Sequence, residues 1–313
     1  MFSSHIKSET IIKFKNIYLN KCLFIIINLI IFKNISIEKK NYKNDGNICF
    51  LSHENLDKTL IHIIITQFMI EFYLKDGFPE KIYTKKYIKN GIRVMKKYLI
   101  PSLNYQSCKD FIWMLNVGDK ANITYIKSLL NLSLPFKSVI IYNKDHKKFI
   151  KNITKRADIL ITTRIDYDDR IYWDAVNDVR KAVNKSKPVF LYGYDKGYFY
   201  FEELDIYTIF FKRYKNKGTM SIFQSLIIFM NKVNDSYTIY DMGGHTIARK
   251  FILKNYKKLG LKNLDYEPAY IEVNIPKFVW VRQKYSGTLK DYNKPKSKPL
   301  NFNLDEFYGI KKK

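Results

Sequence analysis

The apolar residues fall into short runs separated by longer amphipathic stretches, the alternation expected of strands joined by helices. Residues 61–66 (IHIIIT) predict a first buried strand. Residues 89–103 predict a helix, because Ile92, Met95, Leu99 and Leu103 recur on one face. A second strand is expected at 111–117, ended by Gly118 and Asp119, followed by a short helix at 123–132 and a third strand at 138–142. Residues 158–163 are apolar and β-branched and predict a fourth strand, Val176, Val179 and Val183 mark another helix, and 188–192 returns to strand. This order predicts an α/β fold with a mainly parallel sheet and right-handed crossovers. Beyond it the pattern loosens: 198–211 predicts one or two aromatic strands, 221–230 and 250–259 predict helices, and in 277–284 Phe278 and Trp280 alternate as the buried side chains of a late strand, the other reading being an aromatic and basic surface for a ring or an anion. From residue 290 the chain is rich in lysine and asparagine, with Pro295 and Pro299, and predicts a loosely held tail.

Parallel sheets take ligands outside the carboxyl ends of their strands, and the fourth strand ends in the most informative stretch, Thr162-Thr163-Arg164-Ile165-Asp166-Tyr167-Asp168-Asp169. In an extended segment Asp166 and Asp168 share a face, and two converging carboxylates suit magnesium or manganese. The other reading makes Asp168 and Asp169 the N-cap and acidic first turn of a helix beginning near Ile171. Arg164 either meets a phosphate or braces the carboxylates. Asp119 closes the second strand, so it reaches the same cleft if the two strands lie close in the sheet.

Composition changes this picture little. The 313 residues are 46% hydrophobic, enough for a substantial core. A net charge of +26 would ordinarily point to nucleic acid. Lysine, asparagine, isoleucine, tyrosine and phenylalanine are all abundant together, as an AT-rich coding sequence produces, so a nucleic-acid partner is not expected; the basicity still fits anionic substrates. Cys22, Cys49 and Cys108 form neither a CxxC pair nor an even framework, which argues against a zinc site or a disulfide scaffold and for a reducing, cytoplasmic setting. The apolar run 22–32 (CLFIIINLIIF) is short against the roughly 20 residues a span needs. It predicts a buried capping segment, with a peripheral contact on the inner membrane face as the alternative.

Several segments together resemble the putative rhamnosyltransferase family, related to the GT-A glycosyltransferases. They are Ile61 to Phe68, Tyr98 to Ser107 with its Pro101-Ser102-Leu103-Asn104-Tyr105-Gln106-Ser107 end, Phe111-Ile112-Trp113, and Thr163 to Asp169. The resemblance implies a GT-A-like, Rossmann-type mixed sheet flanked by helices, with a glycosyltransferase domain at 57–288 between an N-terminal extension (1–56) and a basic tail (289–313). It implies transfer of a sugar, rhamnose by the family label, from a nucleotide-sugar donor to a hydroxyl of a cell-surface glycan or lipid-linked acceptor, in polysaccharide biosynthesis. Mn2+ or Mg2+ would be held by a DxD-type set, Asp166, Asp168 and Asp169, with His245 of the Gly243-Gly244-His245 loop. Thr66, Gln67, Asp119 and Arg164 would contact the donor, although the family more usually has arginine where Gln67 stands. Asp241, Glu202, Glu203 and Glu267 are the candidates for the general base. The competing reading is a degenerate member of the fold that binds nucleic acid or an anionic lipid surface; it draws on the charge and on an apolar stretch, Ser225 to Ile228, where the family carries a nearby glutamate.

Overall fold

The computed structural model describes residues 48–50, 60–70, 82–131, 133–183, 189–194, 196–211, 223–233, 235–242, 257, 269–271, 277–282 and 300–308. Contacts divide the chain into Met1–Asp45 and Gly46–Lys313, and every described residue lies in the second unit. The apolar segment 22–32, most of the helix expected at 250–259, His245 and Glu267 lie outside the described residues.

After β1 (Ile48–Phe50), strand β2 (Leu60–Phe68) runs through the middle of the main sheet. Its unbroken apolar run is buried on both faces, as a central parallel strand requires. Ile64 and Phe68 enter one core, and Ile61, Ile63 and Ile65 enter the other. The single helix expected at 89–103 is two, α1 (Lys85–Lys97) and α2 (Leu99–Asn104), meeting at Tyr98. Pro101 explains the break: it has no amide proton to give the Lys97 carbonyl, and its ring collides with that carbonyl in a continuous helix.

Strand β3 (Ile112–Val117), helix α3 (Ile123–Leu130), strand β4 (Lys137–Tyr142), helix α4 (His146–Ile153) and strand β5 (Ile159–Arg164) complete a parallel core ordered β4-β3-β2-β5. Helices α1, α2 and α3 cover one face, and α4 covers the other through Phe149 and Ile150. Next come β6 (Arg170–Ile171), α5 (Ala175–Lys181), β7 (Val189–Tyr194) and the hairpin of β8 (Lys196–Phe201) and β9 (Ile206–Phe211).

Within the helix expected at 221–230, Gln224–Phe229 are instead strand β10, antiparallel between β5 and β7, so the parallel core belongs to a mixed sheet, as the family resemblance implies. A short apolar run buried on both sides has no period to separate strand from helix, and here sheet pairing decides. Strand β11 (Ala269–Ile271) lies parallel to β7, giving the order β1-β4-β3-β2-β5-β10-β7-β11. Strand β12 (Phe278–Arg282) joins a second sheet ordered β6-β12-β8-β9 and buries Phe278, Val279 and Val281.

Part of the expected loose tail is docked. Leu300 N donates to Tyr207 O at 2.9 Å, Phe302 stacks on Tyr207 at 3.9 Å between ring centres, and Phe307 of α6 (Leu304–Phe307) is buried with Tyr308. Three aromatic side chains outweigh the polar composition around them. No helix among the described residues is long and apolar enough to cross a membrane.

Candidate functional site

Strands β2, β3 and β5 are parallel neighbours, so Phe68, Val117 and Arg164 end at one edge of the sheet. Two loops close tightly there. Gly118 N donates to Phe68 O at 3.2 Å, and a Cβ on Gly118 would stand 2.1 Å from the Met69 carbonyl oxygen, so only glycine lets the β3 loop lie on the end of β2. Asp119 follows, exposed, and its Oδ1 accepts from Lys144 N at 2.9 Å, which ties the β3 loop to the loop after β4. Asp119 therefore sits at the edge expected of it, turned toward β4 rather than β5. Thr66 is buried, and its Oγ1 accepts from Trp113 Nε1 at 3.1 Å; Gln67, half-buried, projects from the opposite face of β2.

The acidic stretch is not extended. Asp169 N donates to Asp166 O at 3.2 Å, so residues 166–169 make a β-turn, and the convergence argued from alternating strand faces does not apply. Asp at the first turn position is favoured because its short polar side chain bonds locally. The helix-cap alternative also fails. Residues 170–171 are strand β6, paired with β12, and the next helix begins only at Ala175 with Asp174 at its N-cap.

The turn sorts its four charged side chains. Arg164 Nε and Nη2 donate to Asp166 Oδ1 at 3.2 and 3.1 Å, and Nη2 reaches Oδ2 at 3.3 Å. The Arg164 side chain is 9% exposed and that of Asp166 32%, so the pair presents its carboxylate outward. Asp169 is buried, and its Oδ1 accepts from Val281 N at 3.1 Å, fastening the turn to β12. Asp168 is half-exposed. Tyr167 packs edge-on against Phe68, its hydroxyl bonded to that of Tyr87; burial, reinforced by the negative charge of Asp168, holds it well above the usual phenol range. Tyr167 is therefore a neutral partner at neutral pH. Among the described residues no group of three or more His, Cys, Asp or Glu side chains is arranged to hold a metal.

The carboxylates considered as bases are dispersed. Asp241 Oδ2 accepts from the amide and hydroxyl of Thr238, both at 2.9 Å, and its Oδ1 pairs with the exposed Lys147 at 3.0 Å. Glu202 lies in the β8–β9 turn of the second sheet, bonded to Lys97 at 2.8 Å and to the Tyr98 hydroxyl. Burial alone would raise its pKa, but the hydrogen bonds of Lys97 and Tyr98 and the charges of Lys97 and Arg93 outweigh burial and hold it below the usual carboxylate range. Glu203 is exposed in the same turn.

Three features here escape sequence reasoning. Tyr240 places its ring 5.2 Å from the Arg164 guanidinium carbon, a contact no spacing announces. His62 Nε2 bonds Thr163 Oγ1 at 2.7 Å, which bonds Ser225 Oγ at 2.7 Å, a polar chain across β2, β5 and β10 inside the sheet core. Burial, helped by the Arg180 charge, lowers the His62 pKa to about 3 and keeps it neutral. Gln106, noted only as part of a motif, brackets α2 to α5: its Nε2 donates to Ser102 O and Tyr172 O, and its Oε1 accepts from Val176 N.

Comparison with solved structures gives distant likenesses. The inositol-1-phosphate CTP transferase from T. maritima aligns with a TM-score of 0.35 at 10% identity, over 80% of this chain and 96% of that one. HddC from Yersinia pseudotuberculosis aligns with a TM-score of 0.29 at 12% identity, over 67% and 90%. No curated protein matches the sequence. Residues 79–258 match the family described as "putative rhamnosyl transferase", a stretch that holds α1, the Gln106 bracket, Asp119 and the whole turn from Arg164 to Asp169. With more than half of its length in that match, the chain belongs to this family and is a glycosyltransferase.

Proposed function

We propose that the enzyme takes a nucleotide-sugar donor, rhamnose being the sugar its family description names, and transfers the sugar to a hydroxyl of a glycan or lipid-linked acceptor in a GT-A-like, metal-dependent reaction. One observation carries the reading. At the carboxyl edge of three parallel strands, a turn braced by Arg164 and anchored by Asp169 leaves Asp166 and Asp168 with access to solvent. That donor set fits magnesium or manganese, which bind through one or two carboxylates and keep their other positions for substrate phosphates and water. When bound, the cation neutralises charge developing on the diphosphate leaving group.

The chain's own groups supply the rest. Asp166 and Asp168 would hold the cation, with His245 as a further ligand from its loop, while Asp169 serves as a strut through Val281 N. Arg164 holds the Asp166 carboxylate through Nε and Nη2 and would add positive charge beside a diphosphate bound there. Gln67 and Asp119 flank the same edge as donor contacts, whereas Thr66 is buried and bonded to Trp113. Asp241 is the favoured base among the described carboxylates, because its neighbour Tyr240 packs on Arg164 and the Lys147 partner that occupies Oδ1 is exposed and exchangeable. The test is turnover of a panel of nucleotide sugars with Mn2+, with chelator, and with Asp168→Asn. The expected result is one active donor, abolished by chelator and lowered on the order of 100-fold or more by the substitution. Turnover indifferent to both chelator and substitution would refute the metal reading.

A further inference from the structure

We propose that Tyr240 is a positioning residue for the acidic turn and acts on it through Arg164. The proposal rests on the reading of Asp166 as a metal ligand and adds a residue that neither the sequence motif nor the family label includes. The Arg164 guanidinium lies over the Tyr240 ring at 5.2 Å while its edge grips Asp166 at 3.1–3.3 Å. One cation is thus held from its face by a ring and from its edge by a carboxylate. The two-point grip on the carboxylate sets the plane of the guanidinium, and the ring backs that plane from its face.

The platform is itself rigid. Ile239, buried beside it, donates its amide to Thr162 Oγ1 on β5 at 2.8 Å, and Asp241 closes a turn back onto Thr238. The Tyr240 hydroxyl reaches the Ile65 carbonyl only at 3.5 Å, a weak contact that adds little. The ring is therefore referenced to β5, whose end carries the acidic turn. A largely buried guanidinium needs partners for the N–H groups on its edge, and a ring over its face adds a favourable electrostatic contact. Tyr240 supplies the face, so that Arg164 holds the Asp166 carboxylate in one orientation before any ligand arrives. Pre-set ligand geometry of this kind raises metal affinity without adding a ligand.

Two substitutions separate ring from hydroxyl: Tyr240→Phe keeps the platform, and Tyr240→Leu removes it. Two readouts separate this inference from the reading beneath it. One is the 15N-edited NMR signal of Arg164 Nε–H, which a fixed guanidinium shields from solvent exchange. The other is calorimetric titration with Mn2+ in the presence of a nucleoside diphosphate. The wild type and Tyr240→Phe should give the same protected signal and Mn2+ affinities within about twofold, whereas Tyr240→Leu loses the protection and binds Mn2+ about five- to tenfold more weakly. If the leucine protein fails to fold, Tyr240→Met, unbranched and apolar, carries the same expectation. Unchanged protection and affinity in the ring-less variant overturn the proposal, as does an equal loss in the phenylalanine variant. A wild type that binds no Mn2+ yet shows ring-dependent protection overturns the metal reading while the Tyr240–Arg164 clamp stands.

Discussion

Replacing Gln106 by leucine removes the bracket between the end of α2 and the start of α5. Its Nε2 donates to Ser102 O at 2.9 Å and Tyr172 O at 2.8 Å, its Oε1 accepts from Val176 N at 3.0 Å, and the residue is 2% exposed. Leucine fills similar space but meets none of these groups. Val176 N belongs to the first turn of α5, where no carbonyl of the helix can accept from it, so the lost acceptor is not replaced from within. Each hydrogen bond contributes about 1 kcal/mol net, and a buried amide or carbonyl left without a partner costs about 1–3 kcal/mol. Two of the three bonds are buried and the one to Tyr172 partly so, which puts the total at roughly 3–5 kcal/mol. At about 2–4 °C per kcal/mol for a chain of this size, the unfolding midpoint should drop by about 10 °C. Thermal and urea unfolding followed by circular dichroism measure it. The bracket also fixes Tyr172, which follows β6 directly, so the donor KM should rise in the folded variant. A midpoint within about 2 °C of wild type would show that Gln106 brackets nothing and that its place in the motif has another cause.

His62 should make the protein acid-labile. Its pKa is depressed to about 3 in the fold, so below pH 6.5 the unfolded chain takes up a proton that the folded chain refuses. Stability from this group is fully present above that pH and falls by about 1.4 kcal/mol per unit as pH drops from 6.5 toward 3. Urea unfolding at pH 7.5 and 5.5 should show a steeper loss in wild type than in His62→Gln; equal slopes would contradict the burial argument. Asp169→Ala should destabilise by about 1–3 kcal/mol, because Val281 N loses its buried acceptor, while the folded fraction still binds Mn2+. Loss of Mn2+ binding with stability unchanged would instead make Asp169 a ligand.

The parallel core was legible in the sequence because runs such as 61–66 and 158–163 are too short and too β-branched for helices, and their alternation with amphipathic stretches leaves little choice of order. The acidic turn was legible in composition but not in shape: the same Asp-x-Asp spacing serves an extended strand, a helix cap or a turn, and only the Asp166–Asp169 backbone bond decides. Strand β10 was misread because burial on both faces erases periodicity, and the tail because Phe302, Phe307 and Tyr308 outweigh the lysines around them. The clamp of Tyr240 on Arg164 joins residues far apart in sequence, and nothing local encodes it.

The central claim is that Asp166 and Asp168 hold a divalent cation against a diphosphate. Calorimetric titration of Mn2+ into wild type, Asp166→Asn and Asp168→Asn, each saturated with a nucleoside diphosphate, tests it directly. One Mn2+ per chain in the wild type is the predicted result, with affinity reduced on the order of 100-fold by either substitution, at unchanged thermal stability for Asp168→Asn and at a lowered one for Asp166→Asn, which loses the partner of Arg164. Equal Mn2+ affinity in all three proteins would contradict it.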